Sequence, residues 1–150
     1  MQVNADTQTG ADNFLEPDLS YRVMGCFYNV RNKYGRFHRE KVYDIALNEE
    51  FKLSGLSFVD KPKIPLYSVN TGKQISVFIP DKLVANKIIV EIKARPVITQ
   101  EEYIRALEYL RVSEYEILYI VNFGEESFEP KRCIYSNSRK PFISLLKLKE

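Results

Sequence analysis

The stretch IPDKLVANKIIVEIKA, residues 79–94, decides the fold and contains the first candidate site. Its second half, IIVEIKA, is rich in β-branched residues and predicts a strand. Side chains alternate along a strand, so Glu91 and Lys93 lie on the same face. A turn centred on Asn86 and Lys87 would fold the stretch into an antiparallel pair and place Asp81 opposite the Glu91–Lys93 segment. The sequence therefore predicts two carboxylates and one ammonium close together.

These three groups fit one kind of chemistry. Two adjacent carboxylates repel each other and favour a divalent cation between them, and hard oxygen ligands suit Mg²⁺ or Mn²⁺ rather than zinc. A lysine beside such an ion can position a water and offset negative charge on a pentacovalent phosphate. Hydrolysis of phosphodiester bonds is the reaction that these groups fit. From the spacing alone a second interpretation stays open, in which the charges cover a solvated strand surface.

Composition restricts the class of protein. The chain has 150 residues, 45% of them hydrophobic and 28% charged, which predicts a globular domain. Residues 1–17 lack apolar periodicity and are expected to form a flexible tail, and residues 18–150 are expected to form one domain. No apolar run is long enough for a membrane span, and the polar N-terminus is unlike a signal peptide, so a cytoplasmic location is expected. The net charge of +2 argues neither for nor against a nucleic-acid partner.

The cysteines and the histidine argue against two other kinds of site. Cys26 and Cys133 are the only cysteines, and no closely spaced Cys or His pair exists to hold zinc. They are expected to be reduced residues of the core. The single histidine, His38, lies in a basic segment, which disfavours a cysteine protease.

Two helices are predicted before the strands. Leu19, Val23, Phe27 and Val30 recur at helical spacing, with Asp18 as the expected N-cap. Gly35 is the expected break before a second helix over about 38–53. That helix is expected to bury Val42, Ala46 and Leu53 with Tyr43 or Ile45, and to end at Gly55.

The middle of the chain reads as three antiparallel strands: IPLYSV at 64–69, QISVFIPDKLVA at 74–85 and IIVEIKA at 88–94. Residues 70–73 form the expected hairpin turn, since Gly72 accepts a positive φ. Pro80 is expected to bend the second strand or to place it at an edge. LSFVDK, at 56–61, is either a further short strand or a lead-in.

A helix and two strands follow. Thr99 and Glu102 form a capping box, and Ile104, Leu107 and Leu110 form the apolar stripe of a helix, with Tyr103 alongside. YEILYIVNF, at 115–123, predicts a central parallel strand covered on both faces. FEPKRCIYS, at 128–136, predicts a more exposed strand, and KPFISLLKLKE, at 140–150, fits a helix or a strand equally well. The expected class is α/β, with a mixed sheet flanked by helices.

The order helix, three antiparallel strands, helix, strand resembles the αβββαβ core of the restriction-endonuclease-like PD-(D/E)xK nucleases. At closer range, residues 19–135 resemble the GxxExxY proteins, a RecB-like branch of that superfamily. REKVYDIAL resembles the family's Glu-x-x-Tyr helix, DKLVANKIIVEIKA its central block, and EYLRVSEYEILYIVNFG its closing pattern. The resemblance implies a metal-dependent nuclease that uses Mg²⁺ or Mn²⁺, with DNA as the expected substrate. The implied metal ligands are Asp81, Glu91, the carbonyl of Ile92 and Glu40, and Lys93 is implied as the catalytic lysine.

The chain departs from the family pattern at two positions. Phe37 replaces the family's first glycine, and Gly35 lies two residues earlier. Arg105 stands where RecB-like nucleases usually have a glutamine, four residues before Tyr109. Arg105 is expected either to clamp a phosphate or to mark a site that has lost its activity. Tyr43 and Tyr109 are expected to support the site by packing, each with a hydrogen-bonding tip.

The remaining expectations concern partners. A basic segment flanks Glu40 and, if the protein is a nuclease, is expected to contact a phosphate backbone; its residues are Arg31, Lys33, Arg36, Arg39 and Lys41. Arg95, Lys131 and Arg132 are weaker candidates for the same role. Two alternatives stay open. One is a catalytically inactive nuclease-fold module that binds nucleic acid or protein. The other is an adaptor domain that pairs with another protein chain through a sheet edge or through the segment FISLLKL. If the other chain is a second copy of this protein, the result is a homodimer.

Overall fold

A computed structural model of the protein describes residues 15–147. The tail expected for residues 1–17 therefore lies almost entirely outside the described residues. The first helix, α1, spans Pro17–Tyr34. Its N-cap is Glu16 rather than the expected Asp18, because Pro17 takes the first helical position, where a missing N–H costs nothing. Asp18 instead lies in the first turn.

The second helix, α2, spans Glu40–Leu53 and packs against α1. Tyr43 and Ala46 face the core as expected. The prediction for Leu53 was wrong, since 79% of that residue is exposed. The buried stripe of α2 also includes Leu47 and Phe51, and Leu53 lies off that stripe.

Five strands of the described chain form a mixed sheet: β1 Phe58–Asp60, β4 Lys82–Val84, β5 Ile88–Lys93, β6 Ile117–Asn122 and β7 Lys131–Ile134. They lie side by side in the order β1–β4–β5–β6–β7. Parallel pairing joins β5 to β6, and the other neighbours are antiparallel. The expected α/β class with a mixed, helix-flanked sheet is confirmed.

The second strand expected over residues 74–85 bends after Pro80, as predicted, but the prediction of one continuous strand was wrong. A bend at Asp81, after Pro80, separates it into β3, Gln74–Phe78, and β4. β3 pairs with β2, Ile64–Tyr67, in a separate two-stranded sheet. The third antiparallel strand of the main sheet is therefore β1, which the sequence left as a strand or a lead-in.

Helices and the hairpin cover the two faces of the sheet. α1 and α2 share one apolar cluster with Val90 and Ile92 of β5. The helix α3, Gln100–Arg111, and the β2–β3 hairpin share a second cluster on the other face, which contains Ile89. α3 begins with the predicted capping box. Ile104 was expected in its buried stripe but is 46% exposed, because Ala106 and Leu110 provide the buried contacts.

The C-terminal part of the described chain folds back on the hairpin. A 3₁₀ turn at Asn137–Arg139 leads to α4, Ile143–Lys147, which settles the ambiguous segment as a helix. Phe142 is buried with its ring centroid 5.6 Å from that of Tyr67, and a Cβ built on Gly72 would lie 3.1 Å from Leu145 Cβ. Part of FISLLKL thus packs inside its own domain, and the contacts of the described residues give no support to the homodimer.

Cys26 and Cys133 are free and buried, as predicted. Among the described residues, no helix is long and apolar enough to cross a membrane.

Candidate active site

Asp81 and Glu91 meet where β4 begins beside β5. Lys82 is paired with Val90, so the antiparallel register places Asp81 next to Glu91. The Asp81 N–H donates to Glu91 Oε1 at 3.0 Å, and the Ile92 N–H donates to Asp81 Oδ2 at 2.7 Å. These two bonds tie the loop before β4 to β5. The juxtaposition expected from the turn at Asn86 and Lys87 is therefore present.

Glu91 has an unusual electrostatic environment. Burial, together with the negative charge of Asp81, raises the pKa of Glu91 from 4.5 to about 7, although Lys93 and the Asp81 N–H favour the charged form. A carboxyl pKa displaced by burial and a like charge is typical of functional sites, where a cation or substrate relieves the repulsion.

Lys93 lies on the same face of β5 as Glu91, as predicted, and reaches toward α3. Its Nζ is 3.9 Å from Glu102 Oε1. The same oxygen accepts a hydrogen bond from the Arg95 guanidinium, and Glu102 Oε2 accepts from the Thr99 N–H at 2.8 Å. Burial opposes the charged form of Glu102, but the bonds from Arg95 and Thr99 hold its pKa below the ordinary range. Glu102 is thus an ionised partner for the Lys93 ammonium, as well as a helix-capping residue.

Arg105 and Tyr109 lie beside this group. A small cavity of about 40 Å³ is lined by Glu91, Lys93, Arg105 and Tyr109 among others. The Tyr109 ring stacks on Phe78 with centroids 3.9 Å apart and planes 11° from parallel. The arginine in place of the family's glutamine therefore lines the same cavity as the implied catalytic lysine.

Glu40 lies on the other side of the carboxylate pair. It is the first residue of α2 and lines a cleft of about 200 Å³, the Asp81 cleft, whose other lining residues are Lys41, Asp44, Lys61, Asp81 and Ile92. Partial burial, followed by the charge of Asp81, raises the pKa of Glu40, and Lys93 and Lys61 oppose that effect. Glu40 is therefore electrostatically coupled to Asp81.

A buried lysine fixes the strand that follows Asp81. Lys82 has no exposed surface, and its Nζ donates to Asp44 Oδ1 and, at 2.7 Å, to Asp60 Oδ1. These bonds connect β4 to α2 and to β1, its neighbour in the sheet. Since Asp81 immediately precedes Lys82 in the chain, the ion pairs of Lys82 hold Asp81 at the edge of the cleft.

The end of β5 is fixed by the last residue of β6 and by the residues just after it. Asn122 Oδ1 accepts from the Arg95 N–H at 3.0 Å, and its Nδ2 donates to the Arg95 carbonyl at 2.7 Å. Gly124 packs against the same backbone, where an added Cβ would lie only 2.5 Å from Arg95 N. The Asn-Phe-Gly pattern therefore has a structural role, because it fixes the backbone just beyond Lys93.

Tyr43 supports the same region from α2. Its ring stacks on Phe123 with centroids 4.5 Å apart. Its hydroxyl donates to the Gly35 carbonyl at 2.8 Å and accepts from the His38 N–H at 3.1 Å. Tyr43 thereby connects the loop that precedes α2 to the Asn-Phe-Gly segment.

Three residues of the basic segment have partners inside the chain, and the other two are exposed. Lys33 forms an ion pair with Glu50 at 2.7 Å, Arg31 donates to the Glu126 carbonyl, and Arg36 donates to the Gly124 carbonyl. Arg39 and Lys41 are exposed at the start of α2, and Lys41 lines the Asp81 cleft. Of the five, Lys41 is therefore the one next to the carboxylates.

The weaker basic candidates also have partners inside the chain. Arg95 is held by Glu102, Lys131 forms an ion pair with Glu129 at 3.1 Å, and Arg132 donates to the Leu15 carbonyl. A phosphate contact by any of them would have to compete with these interactions.

The donor atoms fit a magnesium-type ion better than a zinc-type ion. Within residues 15–147 no group of three or more His, Cys, Asp or Glu side chains is arranged as a metal cluster. The adjacent donors are the two carboxylates of Asp81 and Glu91, with the backbone of Ile92 beside them. Mg²⁺ keeps several waters and is commonly held by one or two carboxylates plus substrate phosphates. The hard, incomplete oxygen set is therefore compatible with such an ion.

A sequence profile of the PD-(D/E)XK nuclease superfamily matches residues 17–133, which is most of the chain. The chain belongs to the PD-(D/E)XK nuclease superfamily. The match contains the five-stranded sheet almost to its last residue, and it contains Asp81, Glu91 and Lys93. No curated protein and no solved structure matches the chain. Membership implies a nucleic-acid substrate and a nuclease-type function, and nucleases of this superfamily generally use divalent metals.

Three further residues at the site had little or no signal in the sequence. Glu102 was interpreted only as a capping residue, and its contacts with Lys93 and Arg95 depend on how α3 lies on the sheet. Lys61 contacts Asp81, which lies 20 residues away in the sequence, and Lys82 contacts Asp44, which lies 38 residues away. The sequence placed Lys82 inside the strand expected over residues 74–85 and gave it no role, and nothing in the sequence indicated Lys61.

Proposed function

We propose that the protein is a metal-dependent nuclease that hydrolyses phosphodiester bonds, with DNA as the expected substrate. The observation that carries the proposal is the hydrogen bond from the Asp81 N–H to the Glu91 carboxylate, which keeps two acidic residues side by side although burial and the charge of Asp81 raise the pKa of Glu91 to about 7. Packing does not require such a pair, since an amide at position 91 could accept the same N–H. A site that binds a divalent cation does require it.

Each residue has a distinct part in the proposed reaction. Asp81, Glu91 and the Ile92 carbonyl would hold the Mg²⁺ or Mn²⁺, with Glu40 as a further or water-mediated ligand. The ion would polarise the scissile phosphate and lower the pKa of the attacking water. Lys93 would position that water and offset the charge that develops on the phosphate. Lys41, at the Asp81 cleft, and Arg105, at the cavity beside Lys93, would bind the flanking phosphates of the backbone.

Calorimetric titration with MnCl₂, followed by cleavage assays on mixed DNA and RNA substrates, tests the proposal. Wild type is expected to bind Mn²⁺ and to cleave in a metal-dependent manner. Glu91→Ala is expected to lose both properties, because one of the two adjacent carboxylate ligands, Asp81 and Glu91, is gone. Glu49→Ala removes an exposed carboxylate from α2 and serves as the matched control, with metal binding and cleavage retained. Equal Mn²⁺ binding by wild type and Glu91→Ala would refute the assignment of Glu91.

A catalytically inactive nuclease-fold module for nucleic-acid binding or protein interaction is the second candidate. Two observations favour it: Glu102 already provides a negative partner for Lys93, and Arg105 adds a positive charge to the same cavity. Nucleic-acid binding in the presence of EDTA, without cleavage on addition of Mn²⁺, would support this alternative. Cleavage that increases in Arg105→Gln would instead support a nuclease whose activity Arg105 restrains.

Three finer assignments belong to the same proposal. Membership in the GxxExxY branch is supported by the quoted motifs, including Glu40 and Tyr43 on α2. A role of the remaining basic residues in phosphate binding is supported by their position before or at the start of α2; these are Arg31, Lys33, Arg36 and Arg39. A single domain over residues 18–150 is supported by the two apolar clusters, which share the five-stranded sheet.

A further inference from the structure

Lys61 makes a direct contact with Asp81. Its Nζ is 2.5 Å from Asp81 Oδ1, and its backbone N–H donates to the Asp81 carbonyl at 2.9 Å. Lys61 follows β1 directly and has a φ of +48°, a conformation that a residue with a Cβ adopts rarely and keeps where surrounding contacts hold it. The contact is therefore made both by the side chain and by a fixed backbone.

The contact engages the second oxygen of the Asp81 carboxylate. Oδ2 accepts the Ile92 N–H, and Oδ1 accepts the Lys61 ammonium. Lys61 also lines the Asp81 cleft, beside Glu40 and Asp44. An ammonium thus lies at the oxygen and in the cleft where a divalent cation bound to Asp81 would have to approach.

We propose that Lys61 is a built-in counterion of the metal site, which a divalent cation must displace from Asp81. The inference rests on the proposed function, in which Asp81 is a metal ligand. Displacement is feasible because 59% of the Lys61 side chain is exposed, against 16% of the Asp81 side chain. The flexible lysine stem can carry its ammonium into water, while Asp81 stays in place through its bond to Ile92.

Two measurable consequences follow from this competition. Without metal, Lys61 offsets the negative charge of Asp81 and Glu91, so its removal lowers thermal stability. In a variant without the Lys61 charge, a metal ion does not have to displace the ammonium from Asp81, so removal of Lys61 tightens metal binding. A residue that merely covered the surface would produce neither effect, and a residue that helped to hold the metal would weaken binding on removal.

The test compares wild type with Lys61→Met, which keeps most of the stem and removes the charge. Lys63→Met is the matched control, since Lys63 is an exposed lysine two residues along the chain. Calorimetric titration with MnCl₂ is expected to show about fivefold tighter binding in Lys61→Met, about 1 kcal/mol, a typical value for an exposed ion pair. Lys63→Met is expected to stay within about twofold of wild type, because among the described residues the ion pair with Asp81 is made by Lys61 and not by Lys63, and an exposed charge without such a contact interacts weakly through water.

Thermal unfolding of the same three proteins provides the second measurement. In EDTA, the Tm of Lys61→Met is expected to fall by roughly 2–4 °C, and saturating Mn²⁺ is expected to remove most of that difference. A Lys61→Arg variant, which keeps the charge, is expected to follow wild type in both experiments.

The outcomes separate this inference from the function on which it rests. If wild type binds Mn²⁺ and Lys61→Met binds it equally or more weakly, the counterion role is refuted and the metal site stands. If Lys63→Met tightens binding as much as Lys61→Met does, a general charge effect explains the result and the specific contact is refuted. If neither wild type nor Lys61→Met binds Mn²⁺, the proposed function fails, and the metal-free Tm alone then reports whether Lys61 stabilises Asp81.

Discussion

Replacement of Glu91 by glutamine should stabilise the metal-free protein at neutral and alkaline pH. The glutamine side chain keeps an oxygen that can accept the Asp81 N–H, and the substitution removes the charge that burial and Asp81 disfavour. A carboxyl pKa raised from 4.5 to about 7 corresponds to a penalty of about 3 kcal/mol on the charged form, at about 1.4 kcal/mol per pKa unit. That penalty is what Glu91→Gln removes.

The raised pKa of Glu91 determines how the stability of the wild type changes with pH. Because the pKa of Glu91 is higher in the folded state, the folded protein binds the extra proton, and wild-type stability falls as the pH rises from about 4.5 to about 7. At pH 8 the full penalty of about 3 kcal/mol applies, and at pH 5 only about 1 kcal/mol of it remains. Glu91→Gln should therefore gain about 2 kcal/mol more over wild type at pH 8 than at pH 5.

Urea unfolding in EDTA at both pH values measures this difference. Glu49→Gln, on an exposed surface of α2, is the control and is expected to stay within about 0.5 kcal/mol of wild type at both pH values. Saturating Mn²⁺ should stabilise wild type and leave Glu91→Gln unchanged. A Glu91→Gln protein that is less stable than wild type by the same amount at pH 5 and pH 8 would refute the reasoning, since Glu91 would then be an ordinary charged residue.

The remaining predictions concern stability and are measured by urea unfolding. Gly124→Ala should lose about 1–3 kcal/mol or more, because its Cβ would lie 2.5 Å from Arg95 N, whereas Gly25→Ala in open space on α1 should gain about 1 kcal/mol. A loss of less than about 0.5 kcal/mol in Gly124→Ala would contradict the close packing. Removing both carboxylate partners of Lys82, Asp44 and Asp60, should lower the free energy of unfolding by about 3 kcal/mol, because the ammonium is left buried and unpaired. Lys82→Met removes the buried charge itself and should cost less than about 1 kcal/mol. Equal losses in these two proteins would contradict that explanation.

The register at the site could be predicted because local rules determine it. The turn at Asn86 and Lys87 joins β4 to β5 within a few residues, and alternation along β5 then assigns Glu91 and Lys93 to one face. The capping box of α3 was predictable for the same reason, since Thr99 and Glu102 are three residues apart. These features depend on neighbours in sequence, so one sequence is sufficient to find them.

The features that the sequence did not predict depend on tertiary contacts. Pro80 indicated a bend or an edge within residues 74–85, but no local signal shows that Phe78 leaves the main sheet to stack on Tyr109 of α3. The strand β1 was ambiguous because three residues give too little pattern. Ile104 and Leu53 satisfy helical spacing, but which side of each helix is buried depends on how the helix lies on the sheet.

The electrostatic cost at Asp81 and Glu91 distinguishes a site from a charged strand surface. On a solvated surface, alternating charges cost little, and their pKa values stay ordinary. Here each carboxylate is fixed by a backbone hydrogen bond, Glu91 by the Asp81 N–H and Asp81 by the Ile92 N–H, and the charges of Lys93 and Lys61 favour the ionised form of Glu91. Residues that break a rule of stable packing usually lie at functional sites. Lys61 is the lysine that also contacts Asp81 directly, so in the proposed counterion role metal affinity should rise and metal-free stability should fall when Lys61 is removed.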